Sequence, residues 1–399
     1  MVNKIKEWRT APLSRLVRFA SGGTPSREDP RFWNGDIPWL SAKDMKKFRL
    51  NDSMEKVTRE GANNGTRLIE AGSVLILVRG MKLLKDVPVG VTERAVAFNQ
   101  DLKALIPTGE IDGHYLGFYL AANKFRLLTL VDRASHGAGR LPSDLLQSFE
   151  IALPGIEEQR KIVDILLTWD AAVERADLRV AAESRLKRGL LERLLMGRKR
   201  LDDFHSQEWE SVRLGDVITE SKLRCGGAHA ENAPYLGAKA EGMVPMRKRI
   251  RGDSAHACKV VKKGWFIYDP MRLNAGLIAK WSGAGAAFAS PDYTVFKCDE
   301  SRLDPDFLNH FRLSHQWTQF VEGAGTGSVR VRVSFSDLAA LKFALPPLEE
   351  QRRIAAILNA CDRELDLLKQ QLAVINRQKQ GLMRKLLTGQ IRVRVESES

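Results

Sequence analysis

The chain has 399 residues, 44% apolar and 28% charged, the mix of a folded protein of two or more domains. Its net charge of +14 favours a polyanionic partner, nucleic acid above all. No apolar run approaches the roughly 18 residues of a membrane span, and residues 1–8 lack a signal-peptide core, which points to a cytoplasmic protein with no membrane partner.

Glu7-Trp8 and a Gly22-Gly23-Thr24-Pro25 turn open the chain. Apolar stretches bounded by Gly, Pro and Asp predict strands at 74–78, 102–106 and 149–153, with a helix over about 112–131. A glycine-rich turn follows that helix, Ser135-His136-Gly137-Ala138-Gly139-Arg140. It is either a solvated turn or a loop whose amides and arginine approach phosphate. The run Leu153-Pro154-Gly155-Ile156-Glu157-Glu158-Gln159-Arg160-Lys161-Ile162 then opens a long helix. Pro154 stands just outside its start, and the paired glutamates suit the positive end of the helix dipole. Apolar residues recur at steps of four and three through Ile162, Leu166, Trp169, Val173, Ala176 and Val180, a heptad seam. Arg193 and Gly197 fit the helix stop. About 40 residues would make a rod of about 60 Å.

The second half repeats the first. Glu208-Trp209 echoes Glu7-Trp8, and Pro234-Tyr235-Leu236-Gly237-Ala238-Lys239 echoes Pro38-Trp39-Leu40-Ser41-Ala42-Lys43. Cys225-Gly226-Gly227-Ala228 stands where the first half has its Gly-Gly-Thr-Pro turn. Strands are predicted at 265–268, 294–296 and 341–345, a helix at about 305–321, and a glycine-rich turn at 323–328 followed by Arg330 and Arg332. Leu345-Pro346-Pro347-Leu348-Glu349-Glu350-Gln351-Arg352-Arg353-Ile354 repeats the helix-opening run 192 positions on. At that shift Asp170 meets Asp362, Lys187 meets Lys379, and Gly197 meets Gly389, with no gap. The second seam runs through Ile354, Leu358, Cys361, Leu365, Leu368, Leu372 and Ile375. Two heptad helices in one chain are expected to pair with each other, antiparallel, placing the variable modules at opposite ends. Lys187 and Lys379 stand where the seams call for apolar residues; they either fix register or snorkel at the edge.

Chemistry-bearing motifs are sparse. The cysteines (Cys225, Cys258, Cys298, Cys361) form no CxxC pair, so no metal site is expected. A DNA methyltransferase with its own recognition domain is one alternative, but Tyr268-Asp269-Pro270-Met271 lacks the second proline and the aromatic residue of a catalytic Asp-Pro-Pro-Tyr motif. No GxxxxGK loop is present for ATP. A coiled-coil DNA-binding regulator would explain the heptads but not two divergent basic modules.

Two variable modules, each ending in Leu-Pro-x-x-Glu-Glu-Gln-Arg-x-Ile and a long helix, make the whole chain resemble the specificity subunit of Type I restriction–modification systems. The resemblance implies an α+β, pseudo-twofold fold: target-recognition domains at 1–152 and 201–344, long antiparallel helices at 153–200 and 345–392 forming an intramolecular coiled coil, and a tail at 393–399. It implies that each domain reads half of a bipartite site in double-stranded DNA while the helices set the gap. It also implies docking of two modification (methyltransferase) subunits and of restriction (endonuclease) subunits. Those partners would use S-adenosylmethionine, ATP and magnesium, with no cofactor, metal or catalytic residue in this chain. Expected DNA contacts are Thr24, Lys43, Arg79, Lys82 and Arg140 in the first domain, and Lys239, Arg272, Asn274, Arg330 and Arg332 in the second. Arg79 and Arg272 are paired in this reading because each follows a predicted strand. Expected docking residues on outward helix faces are Glu157, Gln159, Arg160, Leu194, Leu195, Glu349, Gln351, Arg352, Leu386 and Leu387, although Glu157 and Gln159 also suit capping of the helix start, a role that fits the glutamates better than docking.

Overall fold

The computed structural model describes residues 8–133, 137–225, 234–239, 242–245, 258–324 and 332–394. The chain divides into two compact units, Met1–Asp177 with Gln371–Ser399, and Leu178–Gln370. The fold is α+β, and the plan of one unit recurs in the other.

In the first unit a five-stranded sheet runs in the order Val17–Ser21, Leu102–Pro107, Val74–Leu77, Val89–Thr92, Arg49–Leu50. Val74–Leu77 is buried at every position, which is why it reads as an unbroken apolar run rather than an alternating one. A second sheet has a parallel pair at its centre, Trp33–Leu40 beside Val96–Phe98, flanked by antiparallel Glu55–Val57 and Leu68–Ile69. The second unit repeats both sheets. One runs Ile218–Glu220, Thr294–Cys298, Phe266–Tyr268, Ile278–Lys280; the other pairs Tyr235–Lys239 parallel to Ala287–Ala289 between Gly242–Pro245 and Lys259–Val261. Each domain is closed by an antiparallel pair joining its first strand to its last, Arg9–Pro12 with Glu150–Leu153 and Glu210–Arg213 with Lys342–Leu345.

The single helix expected in each domain is two. Gly113–Ala122 and Lys124–Leu128 are parted at Asn123, whose side chain bonds back to the Tyr119 carbonyl at 2.9 Å. Pro305–Phe311 and His315–Gly323 are parted because Ser314 caps the second helix, its Oγ accepting from the Trp317 amide at 3.2 Å.

The long helices are Ile156–Leu195 and Leu348–Leu387, 40 residues each. Both stop at glycines in the left-handed region, Gly197 at φ 63° and Gly389 at φ 72°, where a Cβ would be strained. Every position of the two seams is buried or half-buried. Within the first unit Ile162, Val163 and Leu166 share a core with Leu386 and Leu387; within the second, Ile354, Ala355 and Leu358 share one with Leu191, Leu194 and Leu195. The start of each helix therefore lies beside the end of the other, an antiparallel pairing. The seam lysines cross it: Lys379 pairs with Asp170 in the first unit and Lys187 with Asp362 in the second. A charged pair at matched seam positions favours one register over its neighbours.

Over the second of these pairs lies His310, 1% exposed, where the first unit has Phe118. Its Nε2 faces Asn359 Oδ1 at 2.8 Å and its Nδ1 is 4.0 Å from Asp362, with Lys187 and Asp306 the other charges near it. Burial is the largest influence and holds its pKa below the ordinary 6.5, against smaller upward pulls from Asn359 and Asp362. The folded chain thus keeps this imidazole neutral while the unfolded chain protonates it. Stability of the second unit should fall as pH drops below 6.5, and His310→Phe should flatten that slope. Chemical denaturation from pH 7.5 to 5 reads the difference; equal slopes for the two proteins would refute it.

Candidate nucleic-acid interface

Three of the expected DNA contacts of the first domain, Thr24, Arg79 and Arg140, are tied together through the backbone. Trp39 donates from Nε1 to the Gly23 carbonyl at 3.0 Å, and Gly23 donates to the Phe98 carbonyl at 3.0 Å, so the glycine turn is pinned to the parallel strand pair. Thr24 follows, exposed, its hydroxyl donating to Gln100 Oε1 at 2.7 Å. Asp101 next accepts from the Val78 amide at 2.8 Å, and Val78 accepts from Leu141 at 2.9 Å. These bonds bring Arg79 and Arg140 to the same edge. There Arg79–Gly80, Gly139–Arg140 and Asp132–Arg133 form a three-stranded ribbon in which Arg140 stands directly opposite Arg79.

Arg79, Arg133 and Arg140 are exposed and make no ion pair with any described residue. Arg140 stands between Arg79 on one side and Asp132 on the other, so the ribbon presents two arginines directly across a strand pair with a single carboxylate beside them. Arg133 was not expected from sequence, because a two-residue strand carries no periodicity. Lys43 is exposed in a turn closed by Asp44, whose Oδ2 accepts from the Ser41 amide at 2.9 Å. Lys82 lies elsewhere. It donates to the Met45 carbonyl at 3.3 Å and lines a cleft of about 260 Å³ with Lys46, Lys47, Lys124 and Lys379.

In the second domain Val333 donates to the Pro270 carbonyl at 2.9 Å, the counterpart of Leu141 donating to Val78. Arg332 is therefore the structural equivalent of Arg140, and it too is exposed. The equivalent of Arg79 is Met271, 41% exposed, whereas Arg272 stands at the place of Gly80. The sequence pairing of Arg79 with Arg272 is thus one residue out of step. Arg272 and Asn274 are exposed at the short turn Leu273–Ala275, and Lys239 is exposed at its strand end. Arg330, residues 226–228 of the Cys-Gly-Gly-Ala turn, residues 135–136 of the first glycine-rich turn and residues 325–328 of the second lie outside the described residues.

The helix residues divide differently from expectation. Glu157, Arg160, Glu349 and Arg352 are exposed, with Glu157–Arg160 paired at 2.7 Å and Glu349–Arg352 at 3.9 Å. Leu194, Leu195, Leu386 and Leu387 are at most 2% exposed, because each helix end is buried in the core of the unit that the other helix opens. They are not on outward faces. Nor are Gln159 and Gln351, both 0% exposed. Gln159 Nε2 donates to the carbonyls of Pro154 and Glu110, and its Oε1 accepts from the Asp112 amide at 2.8 Å. Gln351 does the same with Pro346, Arg302 and Asp304, again at 2.8 Å from the last. Asp112 and Asp304 are N-caps of the domain helices, so these glutamines fasten each domain to its long helix.

Nor do Glu158 and Glu350 cap. Glu158 accepts from Trp8 Nε1 at 3.2 Å and from Arg392 at 2.7 Å; Glu350 accepts from Trp209 Nε1 at 2.9 Å and from Arg200 at 2.8 Å. The segment after each helix thus returns an arginine to the buried glutamate that begins the other. The recurring Trp8 and Trp209 are visible in the sequence, and Arg200 and Arg392 also match at the 192-residue shift; what the sequence does not show is that each reaches the glutamate of the other helix. Among the described residues no cluster of His, Cys, Asp or Glu could hold a metal, and no helix is long and apolar enough to cross a membrane.

A family model described as Type I restriction modification DNA specificity domain matches the chain twice, over residues 5–180 and 206–377. The chain is 35% identical over 166 residues to the Type I restriction enzyme EcoR124I/EcoR124II specificity subunit of Escherichia coli, a stretch that spans only 41% of each protein. It is 21% identical over 97% of its length, and 94% of the relative's, to the MjaIX specificity subunit of Methanocaldococcus jannaschii. In fold it resembles the crystal structure of a Type I restriction-modification S subunit from M. genitalium, with a TM-score of 0.59 at 14% identity over 97% of this chain and 98% of that one.

Proposed function

Since this chain belongs to the family of Type I restriction–modification specificity subunits, with two DNA specificity domains, we propose that each domain reads one half of a bipartite site in double-stranded DNA. The helices set the gap, and the chain directs methylation or cleavage by partner subunits without supplying a catalytic group. The observation that carries this reading is the recurrence of Arg140 and Arg332. In two domains of divergent sequence an exposed arginine immediately precedes the residue that donates the same backbone hydrogen bond, on a chain of net charge +14. An arginine in that position serves guanine edges or phosphate equally well. Two such modules on one chain gain affinity because binding of the first raises the effective concentration of the second.

Two modification subunits and the restriction subunits are the partners in this reading, in the cytoplasm. S-adenosylmethionine, ATP and magnesium act in those partners. Glu157, Arg160, Glu349 and Arg352 remain available for docking them, being exposed.

Mapping methylated sites in a host expressing this chain with its modification subunit tests the proposal, since it yields both half-sites and the gap together. Arg140→Ala and Arg332→Ala should each cost about 1–3 kcal/mol in DNA binding and relax one position of one half-site only. If both variants keep affinity and site preference, the arginines are not the readers. Clear binding of S-adenosylmethionine by the isolated chain would instead favour a methyltransferase.

A further inference from the structure

In the second unit Arg224 bridges Lys259 in antiparallel register, with Val260 donating to the Leu223 carbonyl and Cys225 donating to the Cys258 carbonyl, both at 3.0 Å. That register sets Cys225 directly opposite Cys258. Residues opposed in an antiparallel pair project from the same face, with Cα atoms about 5.5 Å apart where they share a backbone bond, the separation most often seen across a disulfide. A third group lies beside the buried thiol. Tyr235 Oη lies 3.3 Å from Cys258 Sγ, and its pKa is raised first by burial and then by both thiols. We infer that Cys225 and Cys258 form a reversible thiol–disulfide site that fastens residues 223–225 to the edge strand Lys259–Val261 of the second recognition domain.

The two thiols differ in access. Cys258 is 4% exposed and Cys225 half-buried, so Cys225 meets an oxidant first and Cys258 resolves. A hydroperoxide is the oxidant class. The Cys225 thiolate attacks the terminal peroxide oxygen, giving a sulfenic acid and, with hydrogen peroxide, water once the leaving hydroxide is protonated. The Cys258 sulfur then attacks the sulfenic sulfur, forming the S–S bond and releasing a second water. Two electrons and two hydrogens leave the thiol pair, and the peroxide is reduced. The first domain contains no cysteine at all. The position 192 residues before Cys258 is Thr66, whose hydroxyl donates to the Phe98 carbonyl at 2.7 Å. The device is therefore confined to the second domain.

The test uses the full chain. After hydrogen peroxide treatment, denaturation and alkylation, two of the four cysteines should resist labelling, the mass should fall by two hydrogens, and peptide mapping should join Cys225 to Cys258. Dithiothreitol should restore all four thiols. The oxidised chain should also unfold at a higher temperature, since the link closes a long loop. Cys225→Ser and Cys258→Ser should each abolish the mass loss and the rise in midpoint while folding as the reduced chain does. Four labelled thiols after oxidation, a link to Cys298 or Cys361, or terminal oxidation of Cys225 without a link would each overturn the assignment.

Discussion

Glu350→Ala should destabilise the second unit by about 3–5 kcal/mol, the loss seen when one partner of a buried ion pair is removed. Glu350 is 0% exposed and accepts from Arg200 Nε at 2.8 Å, Arg200 Nη2 at 2.9 Å and Trp209 Nε1 at 2.9 Å. Alanine leaves a guanidinium and an indole N–H facing one another across a cavity. Arg200 retains the Phe204 and Gln207 carbonyls, which limits but does not cancel the loss. Glu158→Ala should cost less, because Arg392 is 29% exposed at its side chain against 18% for Arg200, and water replaces part of what it loses. Urea unfolding of the full chain reads the ranking. A loss under 1 kcal/mol for Glu350→Ala, or the reverse order, would show that the glutamates do not anchor the helix starts.

Lengthening both helices by seven residues should retarget the protein. The expectation rests on the proposed function, in which helix length sets the gap between half-sites. Insertion of one heptad after Asp177 and one after Gln370 keeps both seams in phase. It adds about 10 Å of helix, the rise of about three base pairs. Methylated sites should then keep both half-sites and gain about three base pairs between them, and the original sites should be lost. The duplex turns with every added base pair, so the new gap is also a test of how far the domains tolerate rotation. An unchanged gap in a folded, active protein would separate the helices from spacing altogether.

Much of this was legible in the sequence. A gapless repeat of Leu-Pro-x-x-Glu-Glu-Gln-Arg followed by a heptad seam marks two helices of matching length, and the glycines that end them sit in the one backbone region that disfavours other residues. The same repeat carried the family. The repeated glutamine suits docking or capping and the second glutamate suits the helix dipole when the helix start is read alone, yet both are buried anchors. Their partners are distant in sequence: Gln351 reaches Arg302, and Glu350 reaches Arg200.

The lesson is sharpest at the ends of the helices. Leu194-Leu195 and Leu386-Leu387 look like an exposed apolar tip in any reading of one helix alone. They are buried because an antiparallel partner brings each tip into a core built from the opposite half of the chain. Local pattern determines where a helix starts, how it is striped and where it stops, since those depend on neighbours within a few residues. Only the tertiary structure decides which face of the stripe is covered, which arginine meets which glutamate, and that Arg332 rather than Arg272 stands in for its counterpart in the first domain. Those choices depend on strand register and on groups brought together from far apart in the chain, about which spacing is silent.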